Sequence, residues 1–108
     1  MNTSTNKQNQ FDAIENLIFS ENLRIEKLDI NPKLDLIVII LSTGMVFSTK
    51  LSSFPLLKKG KTSQLMKFEL ISNGTGIHWP DLDEDLSLKG LLRDELMKFI
   101  RPSYLRGA

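Results

Sequence analysis

Apolar residues first recur at helical spacing, in Phe11, Ile14, Leu17 and Ile18, with Asp12 and Glu15 in the first turn where a helix dipole favours negative charge. This spacing predicts a short helix over residues 11 to 19. From Leu23 the period changes to two. Leu23 and Ile25 alternate with Arg24 and Glu26, and the pattern resumes at Leu28 and Ile30 after one irregular step near Lys27. That is the signature of a half-buried strand carrying a bulge. Asn31-Pro32-Lys33 reads as a turn, because proline cannot donate to a strand ladder. Leu34 to Leu41 then holds four consecutive β-branched residues, Ile37 to Ile40, as in a central strand buried on both faces or covered by a helix on its second face. Ser42-Thr43-Gly44 links it to Met45-Val46-Phe47-Ser48, an antiparallel hairpin.

Phe54-Pro55-Leu56-Leu57 breaks the β pattern, and Lys58-Lys59-Gly60-Lys61 forms an exposed basic turn. Thr62 or Ser63 is placed to cap one helical turn running to Met66. Phe68-Glu69-Leu70-Ile71 predicts a further strand, turned at Asn73-Gly74-Thr75-Gly76 because Asn-Gly accepts the positive φ of a tight hairpin. Ile77-His78-Trp79 returns, and Pro80 ends it. Leu86 to Ile100 reads as a helix with Leu92, Leu96, Phe99 and Ile100 on one face and Arg93, Asp94, Glu95 and Lys98 on the other. Asp85 or Ser87 is its expected N-cap, and Arg101-Pro102 its stop. No internal repeat is visible. The expected fold is α+β: a small, mainly antiparallel sheet of four to five strands with helices from the N- and C-terminal segments packed on one face. Residues 1–10 are expected to be a disordered tail, 11–100 a single α+β domain and 101–108 a flexible tail.

A length of 108 residues fits one small domain, and 41% apolar with 25% charged residues and a mean hydropathy of −0.13 are ordinary for a soluble globular chain. The absence of cysteine removes disulfides, thiolate metal sites and cysteine nucleophiles, and points to a reducing compartment, with the cytoplasm as the default. The polar N-terminus has no apolar core of a secretory signal. The longest apolar run, Leu36 to Leu41, is far below the ~20 residues of a membrane helix. A net charge of +1 makes no case for bulk nucleic-acid binding, although Lys58, Lys59 and Lys61 could touch phosphate.

Unusual chemistry is concentrated between Gly74 and Ser87, which hold the only His, the only Trp and the cluster Asp81, Asp83, Glu84 and Asp85. Asp81, Asp83 and Asp85 stand at positions 1, 3 and 5 of a calcium loop, but Leu86 and Leu92 occupy the places of its glycine and its bidentate glutamate, so an EF-hand is rejected. No metal ligands and no cofactor are assigned. His78 is the type of residue that serves as a general base, yet no nucleophile elbow accompanies it. No residue is therefore assigned as catalytic. A structural histidine bonded to the acidic turn, and a Trp79 that anchors the core or meets a partner, account for the same residues.

The run Gly76-Ile77-His78-Trp79-Pro80-Asp81-Leu82-Asp83-Glu84-Asp85-Leu86-Ser87, with Gly90-Leu91-Leu92 after it and Phe54-Pro55-Leu56-Leu57 upstream, resembles the domain-of-unknown-function family 2442. The resemblance covers roughly residues 23 to 92. It implies a small bacterial protein, often encoded beside another small protein in a toxin–antitoxin-like arrangement. The resulting expectation is a non-catalytic protein-interaction module, an antitoxin-like or regulatory partner of a small neighbouring protein. It would act through His78, Trp79, Asp81, Asp83, Glu84 and Asp85, with a protein partner or a second copy and no membrane. Two alternatives stand beside it: a small metal-dependent or acid–base hydrolase using His78 and the carboxylates of residues 81–85, and a weak nucleic-acid binder through the lysine segment 58–61.

Overall fold

Where the chain changes from period-two to helical patterning it also changes element. A computed structural model describes residues 13–100. In order these form α1 (Ala13–Ser20), β1 (Ile25–Asn31), β2 (Leu36–Leu41), β3 (Val46–Lys50), α2 (Pro55–Lys58), α3 (Thr62–Leu65), β4 (Glu69–Ile71), β5 (Gly76–Trp79), β6 (Glu84–Ser87) and α4 (Leu88–Ile100). Short 3-10 turns lie at Pro32–Leu34, Leu51–Ser53 and Ser72–Gly74. Both expected tails, together with Phe11 and Asp12 of the expected first helix, fall outside the described residues. No helix among the described residues is long and apolar enough to cross a membrane.

The α+β class holds, but the single sheet does not. The described strands form two three-stranded antiparallel sheets, β1-β2-β3 and β4-β5-β6. Between them the chain leaves the sheet at Lys50 and runs through a 3-10 turn, α2 and α3, where Pro55 at the first helical position of α2 is incompatible with a continuing ladder. The sixth strand was hidden within the acidic segment. Asp83 takes a positive φ of 51°, and this folds residues 84–87 back on β5 in the register His78 opposite Asp85 and Trp79 opposite Glu84. α4 therefore begins at Leu88, and Ser87, not Asp85, caps it: Ser87 Oγ accepts the Gly90 N–H at 3.0 Å. At α3, neither Thr62 nor Ser63 is the cap. Lys61 holds that position, and its N–H donates to Gln64 Oε1 at 2.9 Å.

The first sheet follows the pattern closely. β1 carries a register shift between Ile25 and Lys27, and Asn31 Oδ1 accepts the Leu34 N–H to close the turn at Pro32. β2 is central and sends Ile37, Ile39 and Leu41 into the core. Its other face differs from expectation, since Leu36, Val38 and Ile40 are only half-buried there.

The two sheets are built alike, a repeat not visible in the sequence. In each, a 3-10 turn joins the first strand to the second, and the residue after the turn accepts a backbone bond from the residue that follows the third strand. These bonds are Leu51 N–H to the Asp35 carbonyl at 3.3 Å and Leu88 N–H to the Thr75 carbonyl at 2.9 Å. Ile37 and Ile77, Ile39 and Trp79, and Leu51 and Leu88 occupy corresponding positions, and all six are buried in one shared core. Each such side chain stabilises the fold by about 1.5–3 kcal/mol. α1 packs on α4, which also leans on β3 and β6. Lys89 Nζ lies 3.2 Å from Glu15 Oε1, and Lys98 Nζ donates to the Ser48 carbonyl at 2.9 Å, covering part of the β3 edge.

Candidate functional site

Alternation along β5 separates its chemistry. Ile77 and Trp79 point to the core, and His78 points to the opposite, half-exposed face. Trp79 is 0% exposed, its indole N–H donates to the Leu65 carbonyl at 2.9 Å, and its ring meets Phe68 at a centroid distance of 6.4 Å and a tilt of 56°. Trp79, expected among the contact residues, is thus a core anchor that ties the second sheet to α3 and presents nothing to a partner.

His78 stands in a row with Glu69 of β4 on one side and Asp85 of β6 on the other. Its Nδ1 lies 2.5 Å from Asp85 Oδ1. The hydrogen bond to Asp85 raises the imidazole pKa above its ordinary value. Burial opposes this, and the charges of Asp85, Glu69 and Asp83 reinforce it. The arrangement favours an imidazolium held between carboxylates, a cross-strand clamp on an open sheet face.

The remaining acids do not converge on His78 as ligands. Asp81 lies 3.6 Å from Lys67, Glu84 Oε1 accepts the Asp85 N–H at 3.0 Å, and Asp83 is exposed at the tip of the link. Among the described residues no three His, Cys, Asp or Glu side chains are grouped to hold a metal ion. Lys58 ends α2, Lys59 caps it, Lys61 precedes α3, and all three are exposed. Lys58 also faces Asp35, whose carboxyl is held below its ordinary pKa chiefly by the Ser52 hydroxyl. Burial opposes that shift, and the Ser52 N–H, Lys50 and Lys58 add to it.

His78 lines neither of two clefts that lie elsewhere among the described residues. One is an apolar groove of about 220 Å³ between α1, α4 and the β2–β3 hairpin, lined by Leu17, Met45, Leu92, Leu96 and Phe99 among others. Helical spacing already marked Leu92, Leu96 and Phe99, but their meeting with Met45 is tertiary. The second cleft, of about 390 Å³, lies between α1, the Ser72–Thr75 turn and the start of α4. Its residues are scattered through the sequence, and no local pattern singles them out.

A family model described as "Protein of unknown function (DUF2442)" matches residues 28–96. A search of curated proteins finds no significant match. Among solved structures, the chain is similar to a crystal structure of a protein of unknown function from Rhodospirillum rubrum, with 29% identity, a TM-score of 0.60 and coverage of 67% of this chain and 87% of that one. It is also similar in fold to an uncharacterised protein from Chromobacterium violaceum solved by solution NMR, with 22% identity, a TM-score of 0.62 and coverage of 86% and 85%. The match to the family model spans most of the chain and takes in both sheets apart from the first three residues of β1; this chain belongs to the DUF2442 family of proteins of unknown function.

Proposed function

We propose that the domain is a non-catalytic protein-interaction module that docks a protein partner through the apolar groove between α1, α4 and the β2–β3 hairpin. One observation carries this reading: the groove is walled by large apolar side chains that stay open to solvent, with Leu17 52%, Met45 46%, Leu96 50% and Phe99 77% exposed. A folded chain seldom leaves such a patch without use. At about 220 Å³ the groove is below the roughly 300 Å³ at which small-molecule sites begin, and it suits inserted side chains better. The exposed carboxylates of Asp81 and Asp83 supply a separate charged contact. The partner is the product of a neighbouring gene, with this domain in the antitoxin-like or regulatory role.

Co-expression with that product tests the reading. The two chains are expected to co-purify, and Leu96→Glu, which places a charge in the groove wall, is expected to separate them while leaving the thermal unfolding of the domain intact. Separate elution of the wild-type chains counts against it.

A further inference from the structure

We propose that the cleft between α1, the Ser72–Thr75 turn and the start of α4 binds a small organic oxyanion, a carboxylate or phosphate carried on an apolar body. Its volume of about 390 Å³ lies within the range of roughly 300–1,000 Å³ typical of small-molecule sites. The inference is independent of the docking groove, from which it differs in location and chemistry.

Arg24 carries the argument. Its side chain lines the cleft and is half-buried, and a single guanidinium nitrogen donates to the Leu23 carbonyl at 2.7 Å. Among the described residues no carboxylate lies within ion-pair distance of it. A guanidinium has five N–H donors in a planar fork, and among the described residues only the bond to the Leu23 carbonyl draws on this one's, so most of its capacity is left for an anion. Partial removal of a cation from water is unfavourable unless an opposite charge arrives, and a bound oxyanion would supply it.

The fold holds Arg24 in place. Ser72, Asn73 and Gly74 all take positive φ, at 52°, 57° and 84°, and this tight turn lays Gly74 against the arginine stem. A Cβ at Gly74 would come within 3.1 Å of Arg24 Cβ and 3.3 Å of its Cδ. Ser72 of the same turn and Ser87 also line the cleft, and Ser87, whose oxygen accepts the Gly90 N–H, keeps its own hydroxyl hydrogen as a donor. Glu15 also lines the cleft, but its carboxylate is answered by Lys89 at 3.2 Å, so among the described residues that line it the charge without an opposite one at ion-pair distance is that of Arg24. The opposite character comes from Ile18 and from Phe19, a ring 84% exposed on α1. A cationic fork beside an aromatic wall fits an oxyanion attached to an apolar or aromatic group.

Titration of the full chain with phenyl phosphate and with benzoate, followed by ¹H–¹⁵N NMR, tests this, with inorganic phosphate and acetate as arms lacking the apolar body. We expect saturable shifts confined to Arg24, Ser72 to Thr75 and Ser87 to Lys89, stronger with the aromatic ligands, the tighter of the two identifying the head group. Arg24→Gln should weaken binding about tenfold or more. Because Arg24 supports the turn, Ser72→Asp provides a second variant: aspartate tolerates the left-handed backbone, and its charge repels the ligand. Absence of saturable shifts with both aromatic ligands, shifts centred on Lys58 to Lys61, or unchanged affinity in both variants would overturn the proposal.

Discussion

His78 and Asp85 face each other across β5 and β6, with Nδ1 of the imidazole 2.5 Å from Oδ1 of the carboxylate. The pair couples the second sheet to proton concentration, because its imidazolium form is favoured in the folded chain by Asp85, Glu69 and Asp83 together. A group whose folded pKa is raised contributes stability that is complete below its unfolded value and is lost as pH rises through the folded one. Stability is therefore expected to fall as pH rises from about 6.5 through the higher folded value of His78. His78→Gln should flatten that fall in urea titrations. Asp85→Asn should lower the His78 midpoint read by NMR. A His78 midpoint at or below the ordinary value contradicts the clamp.

Asp35 sets the acid side. Its carboxyl is held low, chiefly by the Ser52 hydroxyl, so its contribution is present above the ordinary carboxylate value and disappears as pH falls through the lowered one. Ser52→Ala is expected to reduce the loss of stability on acidification, and an identical acid limb in wild type and variant would show that the bond is not formed.

Trp79 is the only tryptophan, so its fluorescence reports the core directly. Emission should be blue-shifted in the native state and move red in one cooperative step with urea. Trp79→Ala removes a fully buried ring and is expected to cost about 3–5 kcal/mol. Trp79→Phe keeps most of the apolar contact but leaves the buried Leu65 carbonyl without its donor, at a smaller cost of about 1–3 kcal/mol.

Gly44 and Gly74 form a matched test of the turn beside Arg24. Both have positive φ, at 93° and 84°, so alanine pays about 1–2 kcal/mol of left-handed strain at either. Only at Gly74 does the added methyl also meet backbone, 3.2 Å from the Ile25 carbonyl oxygen, while Gly44 has open space. Gly74→Ala should therefore lower the urea midpoint more than Gly44→Ala, and equal losses would mean that the turn does not press on β1.

Much of this architecture was legible because the signals are local. The β-branched run Ile37 to Ile40 marked the central strand of the first sheet, Asn31-Pro32 its turn, and Lys27 the irregular step where β1 shifts register. Leu92, Leu96 and Phe99 marked one face of α4. What was hidden depends on pairing between distant residues. Glu84 to Ser87 is acid-rich and polar, with nothing in its composition that favours a strand. It becomes one because Asp83 accepts a left-handed conformation and β5 offers an edge. The repeated plan was concealed because corresponding positions hold different residues, Val38 against His78 and Ile39 against Trp79. The Arg24 cleft left no trace because α1, the 72–75 turn and α4 meet only in three dimensions.

Affinity capture from native cells, run side by side with the wild-type chain, Leu96→Glu and Lys59→Glu, tests the docking account most directly. It predicts one protein retained in stoichiometric amount by the wild type and by Lys59→Glu and lost with Leu96→Glu. Retention that survives Leu96→Glu, or no stoichiometric protein on the wild-type chain, would contradict it.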